Sequence, residues 1–292
     1  MARIIDGKAI AVQVSAELAV RIRRLRDQGI VPKLGIILTG GFVPSQTYVR
    51  NKERACAKVG IEVETSRFGE DVSFDVLRRQ VEKWNQDPVL DGMIVQLPLP
   101  RGLDDAALLE YVDPTKDADG LTSTSLGRLV SGKPLFTPAT PSGIVELLVR
   151  SGISIPGKRV VIVGRGKLVG KPLANMLLLR GAQADATVTV CHTKTHDLAA
   201  LCRSAEILVV AAGVPQLVTG DMVSEGVVVI DAGTNSIEGK LVGDVDFASV
   251  EPKASAITPV PGGVGPMTVA MLLANVVRAA EARSRTDTKD RT

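Results

Sequence analysis

The sequence predicts an α/β protein of two parallel-sheet domains, the second a Rossmann-type nucleotide-binding domain. Three observations carry this. Short, continuously apolar runs alternate with helix-period segments, as buried parallel strands joined by helical crossovers do. One such run, 159–163, leads directly into a glycine-bearing loop and then a helix. Midway, a proline- and glycine-bearing segment, 136–143, interrupts both periodicities. The chain has 292 residues, about right for two cores at a rough ~150 residues each.

Each element follows from its local pattern. Residues 8–29 read as an amphipathic helix stopped by Gly29. Strand 34–38, a helix over about 45–58, strand 61–65, a helix over about 74–84, strand 93–97 and a helix from Asp104 come next. After Pro141 come strand 159–163, the glycine loop, a helix over 171–180, and strands 186–191, 207–211 and 227–231. The last apolar helix, about 268–282, follows Pro-Gly-Gly-Val-Gly-Pro and is expected to pack back on the first domain. Residues 283–292 are charged and free of apolar side chains, which predicts a disordered tail. The expected division is therefore 1–140 with 268–282, then 141–267, then the tail.

Composition excludes several functions. A net charge of +3, with basic residues dispersed, gives no footprint for nucleic acid or a membrane surface. Two tyrosines, one tryptophan and five phenylalanines leave little for stacking platforms. The three cysteines, Cys56, Cys191 and Cys202, contain no CxxC, which argues against disulfides and a zinc site and predicts no metal. The start, Met-Ala-Arg-Ile-Ile-Asp-Gly-Lys, meets charge before any apolar run, and no run nears the ~20 apolar residues of a span. A cytoplasmic protein is expected.

Two groups of residues carry chemistry. Tyr48 and Lys52 stand four apart on a predicted helix and so share a face. An amine drawn into a partly apolar cleft gives up its proton more readily, and Tyr48 offers a stacking face for a flat heterocycle. The strand ending Val95-Gln96-Leu97-Pro98 delivers an uncharged amide to the same place. Taken singly, Lys52 is a solvated helix lysine and Tyr48 a core aromatic. In Lys116-Asp117-Ala118-Asp119-Gly120, a loop carboxylate can grip an amino-pyrimidine edge, whereas Asp117 reads equally well as a turn aspartate. Asp91 reads as turn chemistry.

The second group is Gly164-Arg165-Gly166-Lys167-Leu168-Val169-Gly170, with Gly-x-Gly-x-x-x-Gly spacing that suits a close approach to pyrophosphate. Where an acid for the ribose 2′-hydroxyl is usual, the next strand ends in His192-Thr193-Lys194. With Arg165 in the loop, that favours NADP over NAD, although NAD stays possible. Lys194 reads equally as a solvated surface lysine. His192 and His196, the two histidines, fall on the adenosine side and read as structural or phosphate-side groups.

Together Tyr48 with Lys52, Asp91-Gly92-Met93-Ile94-Val95-Gln96-Leu97-Pro98-Leu99-Pro100, Lys116 to Gly120, Gly164-Arg165 with Val169-Gly170-Lys171-Pro172, and Pro259-Val260-Pro261-Gly262-Gly263-Val264-Gly265-Pro266-Met267-Thr268 occur in one order. In these strings the chain resembles the bifunctional methylenetetrahydrofolate dehydrogenase/methenyltetrahydrofolate cyclohydrolase family, over residues 3 to about 280. The resemblance implies NADP⁺-dependent oxidation of 5,10-methylenetetrahydrofolate and hydrolysis of the methenyl product to 10-formyltetrahydrofolate, a supply line of one-carbon units for purine biosynthesis. It implies Lys52 as the main residue of hydrolysis, Gln96 tuning it, Tyr48 stacking on the folate and Asp119 anchoring the pterin. Ser45, Pro261, Gly262 and Gly263 are implied on the substrate side, and Gly164, Arg165, Gly166, Val169, Gly170, Thr193 and Thr234 on the cofactor side. A cleft between the domains and a homodimer through the nucleotide domain are implied as well. The chain departs from the family where Gly41-Phe42-Val43-Pro44-Ser45 replaces the frequent Asp-Asp-Pro-Ala-Ser, where Gly166 replaces serine, and where Thr234 replaces isoleucine. Two other readings remain: a nucleotide-binding protein with an inactive cleft, and an NAD(P)-dependent hydroxy- or amino-acid dehydrogenase. The intact Tyr48, Lys52, Gln96 and Asp119 argue against the first, and the absence of histidine from the first domain argues against the second.

Overall fold

The structure is a computed structural model that describes residues 1–289. Along the chain run β1 (Arg3–Ile4), α1 (Gly7–Asp27), β2 (Lys33–Thr39), α2 (Val43–Val59), β3 (Glu62–Phe68), α3 (Phe74–Gln86), β4 (Gly92–Val95), α4 (Asp105–Leu109), α5 (Ser123–Val130) and α6 (Ala139–Arg150). There follow β5 (Arg159–Val163), α7 (Gly170–Leu177), β6 (Thr187–Cys191), α8 (Leu198–Ser204), β7 (Ile207–Val210), β8 (Val228–Asp231), β9 (Asn235–Ile237), β10 (Lys240–Val242), α9 (Phe247–Val250), β11 (Ala256–Ile257) and α10 (Val264–Lys289). The chain divides into two compact units, 1–12 with 140–268, and 13–139 with 269 onward.

The second of these holds a three-stranded sheet in the order β3-β2-β4, with both pairings parallel. β2 lies in the middle and is buried over six of its seven residues, which is why it reads as an unbroken apolar run. Trp84 of α3, fully buried, lies so close over Gly35 that a Cβ there would stand 2.8 Å from its ring. The indole N–H donates to Glu64 at 3.1 Å. Lys116, drawn out of water, donates to the carbonyls of Trp84, Asn85 and Asp87 near the end of α3; burial holds its proton affinity below the ordinary lysine value.

The other unit is a six-stranded sheet in the order β1-β11-β8-β7-β5-β6, parallel at every pairing. β6 lies on one side of β5 and β7 on the other, so strand order reverses between β5 and β7. In open parallel sheets that reversal opens the crevice in which ligands bind, at the carboxyl ends of the strands.

Three expectations are corrected. Residues 1–12 belong with the six-stranded unit, because Arg3 and Ile4 pair with Ala256 and Ile257. A two-residue strand is too short for any periodicity to reveal. The units divide between Ala139 and Thr140, inside the segment 136–143, where α6 also starts with Pro141 in its first turn, its missing N–H having no partner to lose. The last helix does not fray into a tail at 283; α10 runs to Lys289, and Arg283 is forked onto buried Asp91 at 2.8 and 3.0 Å. The rest of the expected tail, 290–292, lies outside the described residues. Asp91 is thus no turn aspartate: its other bond takes the Lys33 N–H at 2.9 Å.

Candidate active site

α2 begins with Pro44 in its first turn and stops at Gly60, whose φ of 96° and N–H bond to the Cys56 carbonyl cap it. Ser45, Val49, Cys56 and Val59 form its buried face. Tyr48 is 45% exposed, so it is no core aromatic. Lys52, one turn on, is half-buried, and its Nζ donates to Gln96 Oε1 at 3.1 Å. Gln96 follows the last residue of β4; its backbone N–H donates to Ile37 of the central strand at 2.9 Å. Its side-chain Nε2 donates to the Leu97 carbonyl at 2.9 Å. That second bond decides which end of the amide faces the lysine: the oxygen.

Both oxygens of Asp117 accept backbone N–H groups, from Gly120 and Leu121 on one side and Thr122 on the other. Asp117 is the turn aspartate. Asp119 is different. Burial pushes its carboxyl above the ordinary 3.8, the Lys52 charge pulls it back, and Asp117 pushes it further up. Lys52, Gln96 and Asp119 are therefore one cluster in this unit, and Tyr48 lies one turn before Lys52 on α2. Cys56, on the same helix, is no nucleophile, since burial raises its thiol to about 12. Ser45 is buried at the start of α2 rather than open to water.

The six-stranded unit carries the glycine loop at the end of β5. Gly164 has φ of 120°, and a Cβ there would overlap the Ala211 carbonyl. A Cβ on Gly170 would likewise overlap the Gly164 carbonyl, whereas Gly166 stands in open space. The loop is thus folded tightly against the end of β7, as a pyrophosphate cradle requires. The helix behind it offers less than the sequence implies. In the first turn of α7 the Lys171 N–H already donates to the Gly166 carbonyl at 3.1 Å, and Pro172 has none. What remains is the dipole, the loop and the exposed Arg165.

Thr193 and Lys194 are exposed in a turn closed by His192, whose backbone N–H donates to Thr195 Oγ1 and whose Nδ1 accepts the Lys194 N–H. His192 thus shapes the turn, and Arg165, Thr193 and Lys194 are all exposed. Val169 precedes α7, and Thr234 is exposed in the loop after β8. Pro261 is exposed, while Gly262 and Gly263 are buried for a packing reason of their own. The Lys8 N–H donates to the Gly262 carbonyl, and a Cβ on Gly7 would overlap that of Gly263. They belong to the six-stranded unit, whereas the Lys52 cluster belongs to the other.

Sequence reasoning missed two buried carboxylates in the six-stranded unit, Asp231 and Asp244, 4% and 0% exposed. Each follows an apolar residue or a glycine in an ordinary turn-like context. The one available signal was their glycine neighbours: a Cβ on Gly233 would overlap the Asp244 backbone N, and one on Gly243 the Asp231 carboxylate. Among the described residues, no group of three His, Cys, Asp or Glu side chains could hold a metal ion, and no helix is long and apolar enough to cross a membrane.

Comparison with known proteins gives the family. Residues 5–119 match the sequence model described as tetrahydrofolate dehydrogenase/cyclohydrolase, catalytic domain, and residues 138–284 its NAD(P)-binding domain. The chain is 50% identical over 280 residues to the bifunctional protein FolD of Moorella thermoacetica, covering 96% of this chain and 99% of that one. The solved bifunctional FolD of Campylobacter jejuni superposes with a TM-score of 0.94 at 43% identity, covering 97% of this chain and all of that one (100%). That of Trypanosoma brucei, solved with NADP cofactor and inhibitor, gives 0.90 at 40% identity, covering 96% and 98%.

Proposed function

This chain belongs to the tetrahydrofolate dehydrogenase/cyclohydrolase family, and from that premise we propose two consecutive reactions for it. In the first, 5,10-methylenetetrahydrofolate gives up a hydride from its one-carbon bridge and becomes the methenyl cation. NADP⁺, bound, supplies the hydride acceptor. In the second, water adds to the methenyl carbon, a proton is lost, and the ring opens to 10-formyltetrahydrofolate.

The observation that carries this reading is the chain of bonds from Lys52 Nζ to Gln96 Oε1 and from Gln96 Nε2 to the Leu97 carbonyl. Hydrolysis needs one group that takes a proton from water; in this reading Lys52 does so after giving up its own, while the neutral Gln96 amide holds its Nζ in place. The amide adds no charge beside a cationic intermediate. Tyr48 offers its exposed ring to the flat folate, and Asp119 its carboxyl to the amino-pyrimidine edge, where paired N–H donors favour the ionised form that burial opposes. Ser45, Pro261, Gly262 and Gly263 complete the substrate side in this reading.

On the cofactor side we assign Gly164, Arg165, Gly166, Val169, Gly170, Thr193 and Thr234. Exposed Arg165 with Thr193 and Lys194 supports NADP over NAD. Hydride transfer itself asks mainly for orientation of two rings, which suits a site without a histidine at the folate cluster. The reading extends to a cytoplasmic homodimer, joined through the six-stranded unit, that feeds purine biosynthesis. Three buried free thiols support a reducing compartment, and the family resemblance supports the rest.

The test is an absorbance assay with 5,10-methylenetetrahydrofolate and either NADP⁺ or NAD⁺, read before and after acid converts 10-formyl product back to methenyl. Reduced NADP with acid-recoverable methenyl product is expected. No turnover from folded protein that binds folate would sink the reading. Lys52→Met is expected to abolish hydrolysis, with hydride transfer falling much less. Equal loss of both activities in a folded variant would contradict the role given to Lys52.

A further inference from the structure

The two buried carboxylates have no part in the chemistry above, and they lie at the carboxyl ends of β7 and β8, beside the point where the strand order reverses. Asp244 Oδ2 accepts the N–H groups of Ala212 and Gly213, at 2.6 and 2.8 Å. These residues form the loop at the carboxyl end of β7. Asp244 Oδ1 accepts Asn235 Nδ2 at 2.7 Å; Asn235 opens β9, directly after the β8 loop that carries Thr234. The segment bearing Asp244 is fixed in turn by Asp231, the last residue of β8, which accepts the N–H groups of Gly233, Asp244 and Val245 at 2.9 to 3.0 Å. The glycine loop then rests on this assembly, since Gly164 packs so closely on Ala211 that no Cβ fits between them.

We propose that Asp244 is the positioning residue of the cofactor crevice: its carboxylate ties the loops after β7 and β8 together and so sets the wall against which the Gly164 turn holds the cofactor. The inference rests on the dinucleotide-binding reading of that loop. It adds a residue with no cofactor contact of its own, which acts through Ala212, Gly213 and Asn235. A carboxylate suits the task because it only accepts hydrogen bonds, and three donors converge on it. Burial makes the arrangement exacting, because an N–H left without a partner there costs more than an exposed one. The backbone at Gly233 lies so close that a Cβ there would overlap Asp244.

The folate chemistry supplies an internal control, because hydrolysis of methenyltetrahydrofolate consumes no dinucleotide. Asp244→Ala removes all three acceptor contacts. Asp244→Asn keeps an oxygen for Ala212 and Gly213, and Asn235 can turn its amide to present oxygen to the new Nδ2. The expected result is a KM for NADP⁺ raised about tenfold or more in Asp244→Ala and less in Asp244→Asn, with the hydrolysis rate unchanged in both. Calorimetric titration with NADP⁺ should show the same order. Unchanged NADP⁺ affinity in Asp244→Ala, with hydrolysis intact, would overturn the proposal. If Asp244→Ala does not fold, Asp244→Ser, too short to hold all three donors, takes its place: a raised KM supports the proposal, and an unchanged one overturns it. A wild-type protein that binds no dinucleotide would instead refute the cofactor reading, independently of Asp244.

Discussion

Lys52 shows how little of a residue's chemistry lies in its identity. A lysine on a helix is ordinarily solvated, and only its bond to Gln96, itself oriented by Leu97, makes this amine a directed one. The four-residue spacing of Tyr48 and Lys52 was legible in the sequence because helix geometry converts spacing into a face. The sequence already favoured Asp119 over Asp117 as the ligand carboxylate, and the structure adds the reason: one closes a turn and the other keeps a raised proton affinity. Asp231 and Asp244 were not legible at all, since what marks them is the convergence of N–H groups from distant segments. Asp231 also makes a stability prediction. Unfolded, its carboxyl ionises near the ordinary 3.8; folded, burial and the Asp244 charge raise it to about 6. Between those values the folded state holds a proton that the unfolded state has lost. Its contribution is therefore full below the window and is lost as pH rises through it. At ~1.4 kcal/mol per pKa unit, the loss is on the order of 3 kcal/mol. Urea unfolding of wild type and Asp231→Asn at pH 4, 5 and 6.5 checks this. Wild type should lose stability relative to the variant as pH rises, and a constant difference would refute the assignment.

At the scale of elements, the central strands were readable because burial on both faces forces continuous apolar runs. β5 was expected at 159–163 and stands at Arg159–Val163. The failures have a common cause, which is that local sequence does not report a distant partner. β1 exists only by pairing with β11, and the end of α10 is ordered by an ion pair across 192 positions of chain. Charge read as solvation in isolation is here a buried bond, with the Asp91 side chain 1% exposed. Arg283→Ala should therefore cost about 3 kcal/mol, because it strands a buried carboxylate. The urea midpoint of the variant measures it, and a shift below ~0.5 kcal/mol would mean that the pair is as weak as a surface one. Arg21 with Glu281 at 2.8 Å, and Asn275 bonded to the carbonyls of Ala118 and Thr137, dock the same helix at other points.

For the molecule as a whole, the cofactor assignments and the Lys52 cluster fall in different units, so they should be separable by ligand-linked stability. NADP⁺ at about a hundred times its Kd should stabilise the folded chain by ~2.7 kcal/mol. Gly164→Ala, whose Cβ meets the Ala211 carbonyl, should abolish that gain while its hydrolysis of methenyltetrahydrofolate persists. A Gly164→Ala protein that NADP⁺ still stabilises fully would remove the loop from the cofactor site. The interleaving of the two units carries a consequence for biosynthesis. The six-stranded sheet takes its edge strand from residues 3–4 and cannot seat it until residues 256–257 exist, and the other unit waits for α10. A ribosome emitting this chain from its N-terminus therefore releases no finished unit along the way. Both cores close within the last few dozen residues, and until then the apolar strands of each depend on chaperones or on speed.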